Sequence, residues 1–312
     1  MINSIPKVFT RITNKQGQVV KHLVALREKK QYRHQNKAVV VQGRKTISEL
    51  YDRGVEVRSL VVTAKKEPQS ESDIKYPASY VLEHYEKFPA QKYYVTDVNI
   101  TRKILGTASK PDNHEIFAEV TIPDHEYELT PEMDRLVILD GVKDPGNLGT
   151  LVRTAQALGW QRGVLTAGTS CDLFSDKTIR ASRAVSLNWP HKILARGEWM
   201  KLLKEKGFTP VVADMLPNER LGLWSPEHGD DLSKLGLGSG AWFWNFHNRP
   251  RELPKKIALI LTSEHHGAHG FDSELKVSVP MHPSVESLNV AIAGSILLSD
   301  LNRIMPSKNR SI

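Results

Sequence analysis

Apolar positions along the chain follow two rhythms. "KAVVVQG" (37–43), "VRSLVVT" (57–63), "KYYVT" (92–96) and "EIFAEVTI" (115–122) are short apolar runs of strand length. Between them the spacing changes to threes and fours. Residues 19–31, with Val20, Leu23, Val24 and Leu26 in one stripe, predict a basic helix, and "TISELYDRG" (46–54) predicts another, closed by Gly54. Strands alternating with helices over short links predict a small α/β layered domain at 1–122. The acidic stretch 123–134, with two prolines, reads as a linker.

From 135 to 312 the alternation resumes. Strands are predicted at "RLVILD" (135–140), "GVLTA" (163–167), "TPVVAD" (209–214), "IALIL" (257–261) and "KVSV" (276–279), with helices at 147–158, 176–185, 197–206 and 287–304. This is β–α alternation again, now with a sheet expected to be mostly parallel and buried on both faces. An insertion at about 217–254 is too long for an ordinary α/β connection. It carries Trp224, Trp242, Phe243, Trp244 and Phe246, and reads as a self-packed surface excursion or a place for bases to stack.

Charge narrows the partner. The formal net charge is +8, and Lys21, Arg27, Lys29, Lys30, Arg33, Lys37, Arg44 and Lys45 are opposed between them by Glu28 alone. A run of one sign repels itself unless an anion lies against it, so phosphate contact is expected there. No apolar run approaches the roughly 20 residues of a membrane span. One cysteine, Cys171, excludes an internal disulfide and a cysteine-based zinc site. The expectation is a soluble intracellular protein with no membrane partner. The acid-free start, "MINSIPKVFTRITNKQGQ", is compatible with the remnant of an organellar transit peptide, so cytoplasm and organelle both stay open.

Three motifs lack the context their chemistry needs. "GLGSG" (236–240) has no strand before it and no helix after it, which disfavours a nicotinamide-linked oxidoreductase. His265, His266 and His269 lie among glycines that argue for a loop, and no metal is expected. Ser263 and Ser287 stand near histidines without a nucleophile elbow. The turn "DGVKDPGNLGTLVRTAQALGW" (140–160) is different: a strand leads into Asn147-x-Gly149-x-x-x-Arg153. With Asn147 read as the helix cap, Arg153 lies about two turns into the helix.

"DPGNLGTLVR" (144–153), "LTSEHHG" (261–267) and "VPMHPSVESLNVAIAG" (279–294) follow predicted strands in that order. Together they resemble the SpoU (TrmH-like) branch of the SPOUT RNA methyltransferases over roughly 135–305, and the N-terminal domain resembles the RNA substrate-binding domain fused ahead of many members. The resemblance implies a SPOUT-type α/β domain with a trefoil knot near the C-terminus. It implies methyl transfer from S-adenosyl-L-methionine (AdoMet) to a ribose 2′-hydroxyl, on rRNA rather than tRNA, by a homodimer. It places Arg153, Asn147, Glu264, Ser287 and Asn289 in the catalytic pocket. It places Leu261, Thr262, Gly267, Val279, Pro280, Met281 and Leu288 around the cofactor. Ala291, Ala293 and Gly294 would keep the last helix thin. Thr262 and His265 stand where the family has glycine, and are expected to crowd the adenine or strain the backbone. They motivate the alternative, a non-catalytic RNA-binding or ribosome-assembly factor of the same fold.

Overall fold

The computed structural model describes residues 5–65, 73–125, 127–160, 162–215, 254–262, 270–271, 274–279, 281–282 and 284–304. The chain divides into two compact units, Met1–Asp124 with Asp172–Leu187, and His125–Cys171 with Asn188–Ile312.

The first unit is built on a five-stranded sheet of order β1-β4-β3-β5-β2. Its strands are β1 (Phe9–Ile12), β2 (Ala38–Gln42), β3 (Val57–Thr63), β4 (Lys92–Thr96) and β5 (Ile116–Thr121). β4 pairs parallel with β1 and β3, and β5 pairs antiparallel with β3 and β2. Phe9–Ile12, inside the stretch compatible with a transit-peptide remnant, is therefore a paired strand.

The basic helix predicted at 19–31 is two helices, α1 (Gln18–Glu28) and α2 (Lys30–Asn36), broken at Lys29, whose backbone is extended. The break has a cause. Arg33 Nη1 donates to the carbonyls of Leu26 and Arg27 at 2.9 and 2.7 Å, satisfying the end of α1 from outside. The apolar stripe of α1, Val20, Leu23 and Leu26, is fully buried against Ala38, Val61 and Phe117 of the sheet. Ile100 and Ile104 of α5 (Val98–Leu105) join this cluster. Asp97 caps α5, accepting from the amides of Asn99 and Ile100. Helices α3 (Arg44–Asp52) and α4 (Ala78–Glu83) pack on β2 and β5, and on β3, respectively.

The second unit holds a six-stranded, wholly parallel sheet of order β11-β9-β10-β6-β7-β8. These strands are β6 (Arg135–Asp140), β7 (Gly163–Thr166), β8 (His191–Leu194), β9 (Thr209–Ala213), β10 (Ile257–Thr262) and β11 (Leu275–Val277). β6 and β10 lie inside the sheet, and their runs Leu136–Leu139 and Ile257–Leu261 are almost fully buried, as cover on both faces requires. On one side Leu136, Ile138, Ala258 and Ile260 meet Trp199 and Leu203 of α8 (Arg196–Glu205). Leu129, from the acidic 123–134 stretch, joins the same cluster. α6 (Pro145–Ala157) and α9 (Val290–Ile304) pack on each other, and α9 also on β9 and β10. Between β7 and β8 the chain forms α7 (Asp176–Ser182), which packs against β2 of the first unit's sheet.

β6, β7 and β8 step outward in order, whereas β9 falls beyond β10 on the opposite side of β6. Strand order thus reverses around β10, the place where open parallel sheets leave a crevice beyond their carboxyl ends. Residues 263–269 and the aromatic-rich insertion lie outside the described residues. No described helix is long and apolar enough to cross a membrane.

Candidate active site

The crevice is occupied by a cavity of about 200 Å³. Leu261 and Thr262, ending β10, form one wall. Asp214 and Met215 after β9 form another, and Val279 and Met281 after β11 a third. Ser287 and Leu288, with Val290, Ala293 and Leu297 of α9, complete it. The structure thus gathers Leu261, Thr262, Val279, Met281 and Leu288, the described members of the expected cofactor set. Gly267, Pro280 and the expected catalytic Glu264 lie outside the described residues, as does His265.

Two expectations need correction. Asn147 is not the cap of α6. Asp144 is, its Oδ1 accepting from the Asn147 amide at 2.8 Å, with Pro145 in the first turn where its missing N–H has no cost. The Asp-Pro pair was a legible start signal. Asn147 is thereby freed for another bond, and Asn289 Nδ2 donates to its Oδ1 at 3.1 Å. Asn289 caps α9, accepting at Oδ1 from the amides of Ala291 and Ile292. Nor does Thr262 strain the backbone. It pairs in register with Asp140 on β6, extended as strands are, and is absent from the positive-φ residues. Crowding from its side chain is the part of that expectation that remains.

Arg153 lies on α6 about two turns beyond Asp144, exposed, with no hydrogen bond or ion pair among the described residues. Thin packing allows α9 its place. A Cβ on Gly294 would come within 2.6 Å of Leu151 on α6 and 2.8 Å of Leu261 on β10. Charges ring the crevice. Asp214 pairs with Lys276 at 2.9 Å and accepts from the Met215 amide at 2.9 Å. Asp140, buried at the end of β6, pairs with Arg196, whose guanidinium also lies over Phe271. Asp214 and Glu286 both border the cavity; Asp214 carries no distinctive sequence spacing, and Glu286, although it opens the Glu-Ser-Leu-Asn-Val run of the third motif, was given no role by the sequence.

The cavity's make-up suits AdoMet. Leucine, valine and alanine side chains beside strand-end backbone offer a slot for a flat heterocycle. The Asp214 and Glu286 carboxylates suit a ligand that bears positive charge.

In the first unit, Lys21, Lys29, Lys30 and Lys45 are exposed. Arg44 is partly covered, its guanidinium near the rings of Tyr76 and Tyr80 and its Nε donating to Tyr76 at 2.7 Å. Arg27 lies over Gly106 and pairs with Glu28. Arg33 does not fit the phosphate-binding set. It is 4% exposed and bonded to Asp172 at 2.6 Å as well as to two carbonyls. Among the described residues no cluster of histidine, cysteine or acidic side chains could hold a metal.

Comparison with known proteins agrees with this architecture. Residues 17–112 match the MRM3-like substrate binding domain. The chain is 25% identical to the 23S rRNA (guanosine(2553)-2′-O)-methyltransferase RlmP of Bacillus subtilis, over 93% of this chain and 98% of that protein. It is 27% identical to the 23S rRNA (adenosine(1067)-2′-O)-methyltransferase of Streptomyces laurentii, covering 64% of this chain and 65% of that one. In fold it matches the AdoMet-bound rRNA methyltransferase of Sinorhizobium meliloti, with a TM-score of 0.67 and 21% identity over 96% of this chain and all of that one. AviRb of Streptomyces viridochromogenes, in complex with AdoMet, gives a TM-score of 0.68 at 20% identity over 92% and 98%. The family model for the SpoU rRNA methylases matches residues 134–299, more than half of the sequence, and the chain belongs to that family.

Proposed function

We propose that the protein is an AdoMet-dependent RNA methyltransferase that modifies a ribose 2′-hydroxyl of rRNA, working as a homodimer. The observation that carries the reading is the Asn289–Asn147 bond. It joins the start of α6, which bears Arg153, to the start of α9, which walls the cavity. The homodimer is supported by Ile292, 52% exposed on α9.

AdoMet, when bound, supplies a methyl carbon made electrophilic by its sulfonium. The chain has to hold the ribose in line and manage the charge that builds on oxygen as the hydroxyl proton leaves. Arg153 suits the second task. A guanidinium carries N–H donors and no acceptor, so its role is to donate to the developing alkoxide and the adjacent phosphate. Asn147, Asn289, Ser287 and Glu264 position the reacting groups, the asparagine pair fixing how α6 and α9 approach each other. Gly267 and Pro280 complete the cofactor pocket. Lys21, Lys29, Lys30, Arg44 and Lys45 bind RNA phosphate.

The test pairs calorimetry with transfer of radiolabelled methyl groups to rRNA. Arg153→Ala should bind AdoMet nearly as well as the parent while losing methyl transfer. Retention of more than about a tenth of kcat/KM, a loss below about 1.4 kcal/mol, removes Arg153 from the chemistry. If the parent binds RNA but shows no AdoMet binding at millimolar concentration, an RNA-binding assembly factor replaces the enzyme.

A further inference from the structure

Arg44 and Lys45 follow the carboxyl end of β2, which runs in the same direction as β3 because both pair antiparallel with β5. Arg58, Ser59 and Lys92 stand at the opposite edge of that sheet, where β3 and β4 begin. There a cavity of about 320 Å³ opens between the start of α1 and the sheet, at the lower end of the about 300–1,000 Å³ usual for ligand sites.

Its floor is polar. Register places Ser59 beside Lys92 on β4 and beside Glu119 on β5. Glu119 is 8% exposed. It accepts from His22 Nε2 at 3.0 Å and from Ser59 Oγ at 3.3 Å, and His22 is itself bonded to the Tyr32 hydroxyl. Burial would raise the Glu119 pKa, but His22, Ser59 and Arg58 outweigh it and hold the carboxyl below its ordinary range. The cavity therefore presents a fixed anion with lone pairs to spare.

Its wall is flat. The Arg58 guanidinium donates to Thr121 Oγ1, the Asn36 carbonyl and the Lys37 carbonyl, at 3.1, 2.7 and 3.3 Å. Those bonds all use its edge, so its faces remain for stacking. Tyr94 adds a ring to the same cavity.

We propose that this cavity binds a guanine nucleotide of single-stranded RNA, the base stacked on Arg58 and Tyr94 and its N1–H and N2–H donated to Glu119, with Lys92 near the phosphate. Bases splayed from single strands are commonly stacked on arginine planes and aromatic rings. Guanine alone offers two adjacent donors on one edge. Adenine and cytosine set an acceptor beside their amino group, and uracil flanks its one N–H with carbonyls, so a buried carboxylate disfavours all three. The proposal rests on the RNA reading above.

Fluorescence anisotropy on the full chain, with labelled pentaribonucleotides UUGUU, UUAUU, UUCUU and UUUUU, tests it without any variant. UUGUU should bind at least tenfold more tightly than the others and more tightly than guanosine monophosphate. Glu119→Gln should erase that preference. Gln18→Trp, which fills the rim from the exposed start of α1, should do the same if Glu119→Gln fails to fold. Equal affinity for the four pentamers overturns the site, and tighter binding of the free nucleotide overturns its assignment to RNA. Methyl transfer to rRNA by the same preparation separates the two readings. Activity without base preference discards the pocket alone, and base preference without activity leaves the pocket standing and discards the methyltransferase.

Discussion

Asn289 donates from Nδ2 to Asn147 Oδ1 at 3.1 Å while its own Oδ1 accepts from the amides of Ala291 at 2.9 Å and Ile292 at 3.4 Å. One amide thus spans two helix starts, and its orientation is fixed by chemistry. Turned over, it would set a donor against the amides of α9 and an acceptor against an acceptor. Serine caps helices about as well as asparagine but is too short to reach Asn147. Asn289→Ser should therefore keep stability within about 0.5 kcal/mol and still lose tenfold or more in methyl transfer. Asn289→Ala should lose about 1 kcal/mol in addition. Thermal unfolding beside radiolabelled transfer checks both, and a fully active serine variant would show the bridge to be incidental.

Gly294 sits where α9 crosses α6 and β10. Leu151 and Leu261, the side chains a Cβ would meet, are both wholly buried and have no free volume to yield. Gly294→Ala gains about 1 kcal/mol of helix propensity but overpacks a filled site, at a cost of about 1–3 kcal/mol. The expected net result is a lower midpoint in urea. Because Leu261 also lines the cavity, AdoMet affinity should fall with it. A variant as stable as the parent would mean that the helix can shift freely.

Glu119 ties stability to pH. Burial alone would raise its pKa, yet the hydrogen bond and charge of His22, the Ser59 hydroxyl and Arg58 bring it below the ordinary 4.5. A carboxyl depressed on folding stabilises the fold fully above its unfolded pKa, and that stabilisation is lost as pH falls through the folded value. The stability advantage of the parent over Glu119→Gln should then be constant at neutral pH and shrink below about 4.5. Thermal unfolding of both proteins from pH 7 to pH 3 measures it. A gap that stays constant to pH 3 would assign Glu119 no such linkage.

Legibility followed burial. The interior strands β6 and β10 are continuous apolar runs, and β3 ends in one despite Arg58 and Ser59; the sequence marks all three within a residue. β1 and β8, edge strands as β2 and β11 also are, escaped notice for want of an apolar run. Phe9–Ile12 and His191–Leu194 each bury a single residue, Phe9 and His191, so neither has an apolar run to read. α5 was hidden by β-branched residues at 98, 100, 101 and 104, which favour strands. In the site, the family resemblance named Leu261, Thr262, Val279, Met281 and Leu288, and these five wall the cavity because strand ends and a helix start converge there. Spacing could not distinguish Asn147 as a bridge from Asn147 as a cap. That depended on Asp144 taking the cap first.

Arg33 and the lysines before it show the same limit in charge, and they supply a clean contrast. In sequence, Lys29, Lys30 and Arg33 form one basic run. In the structure Lys29 and Lys30 are exposed, whereas the Arg33 and Asp172 side chains, 5% and 10% exposed, hold each other out of water. Removing one partner of a buried pair leaves an uncompensated charge, costing about 3–5 kcal/mol. Arg33→Ala should therefore lower the unfolding midpoint sharply, and the folded fraction should bind RNA with an unchanged salt slope. Lys29→Ala with Lys30→Ala should leave stability within about 0.5 kcal/mol. Those lysines release counterions if they touch phosphate, so their loss should flatten the plot of log K against log salt by about 1.4, or roughly 0.7 for each contact to single-stranded RNA. Anisotropy titrations across a range of potassium chloride concentrations, with a melt on each variant, separate the two roles. If Arg33→Ala flattens the slope and spares the melt, the guanidinium faces RNA after all and the ion pair with Asp172 is not what holds it.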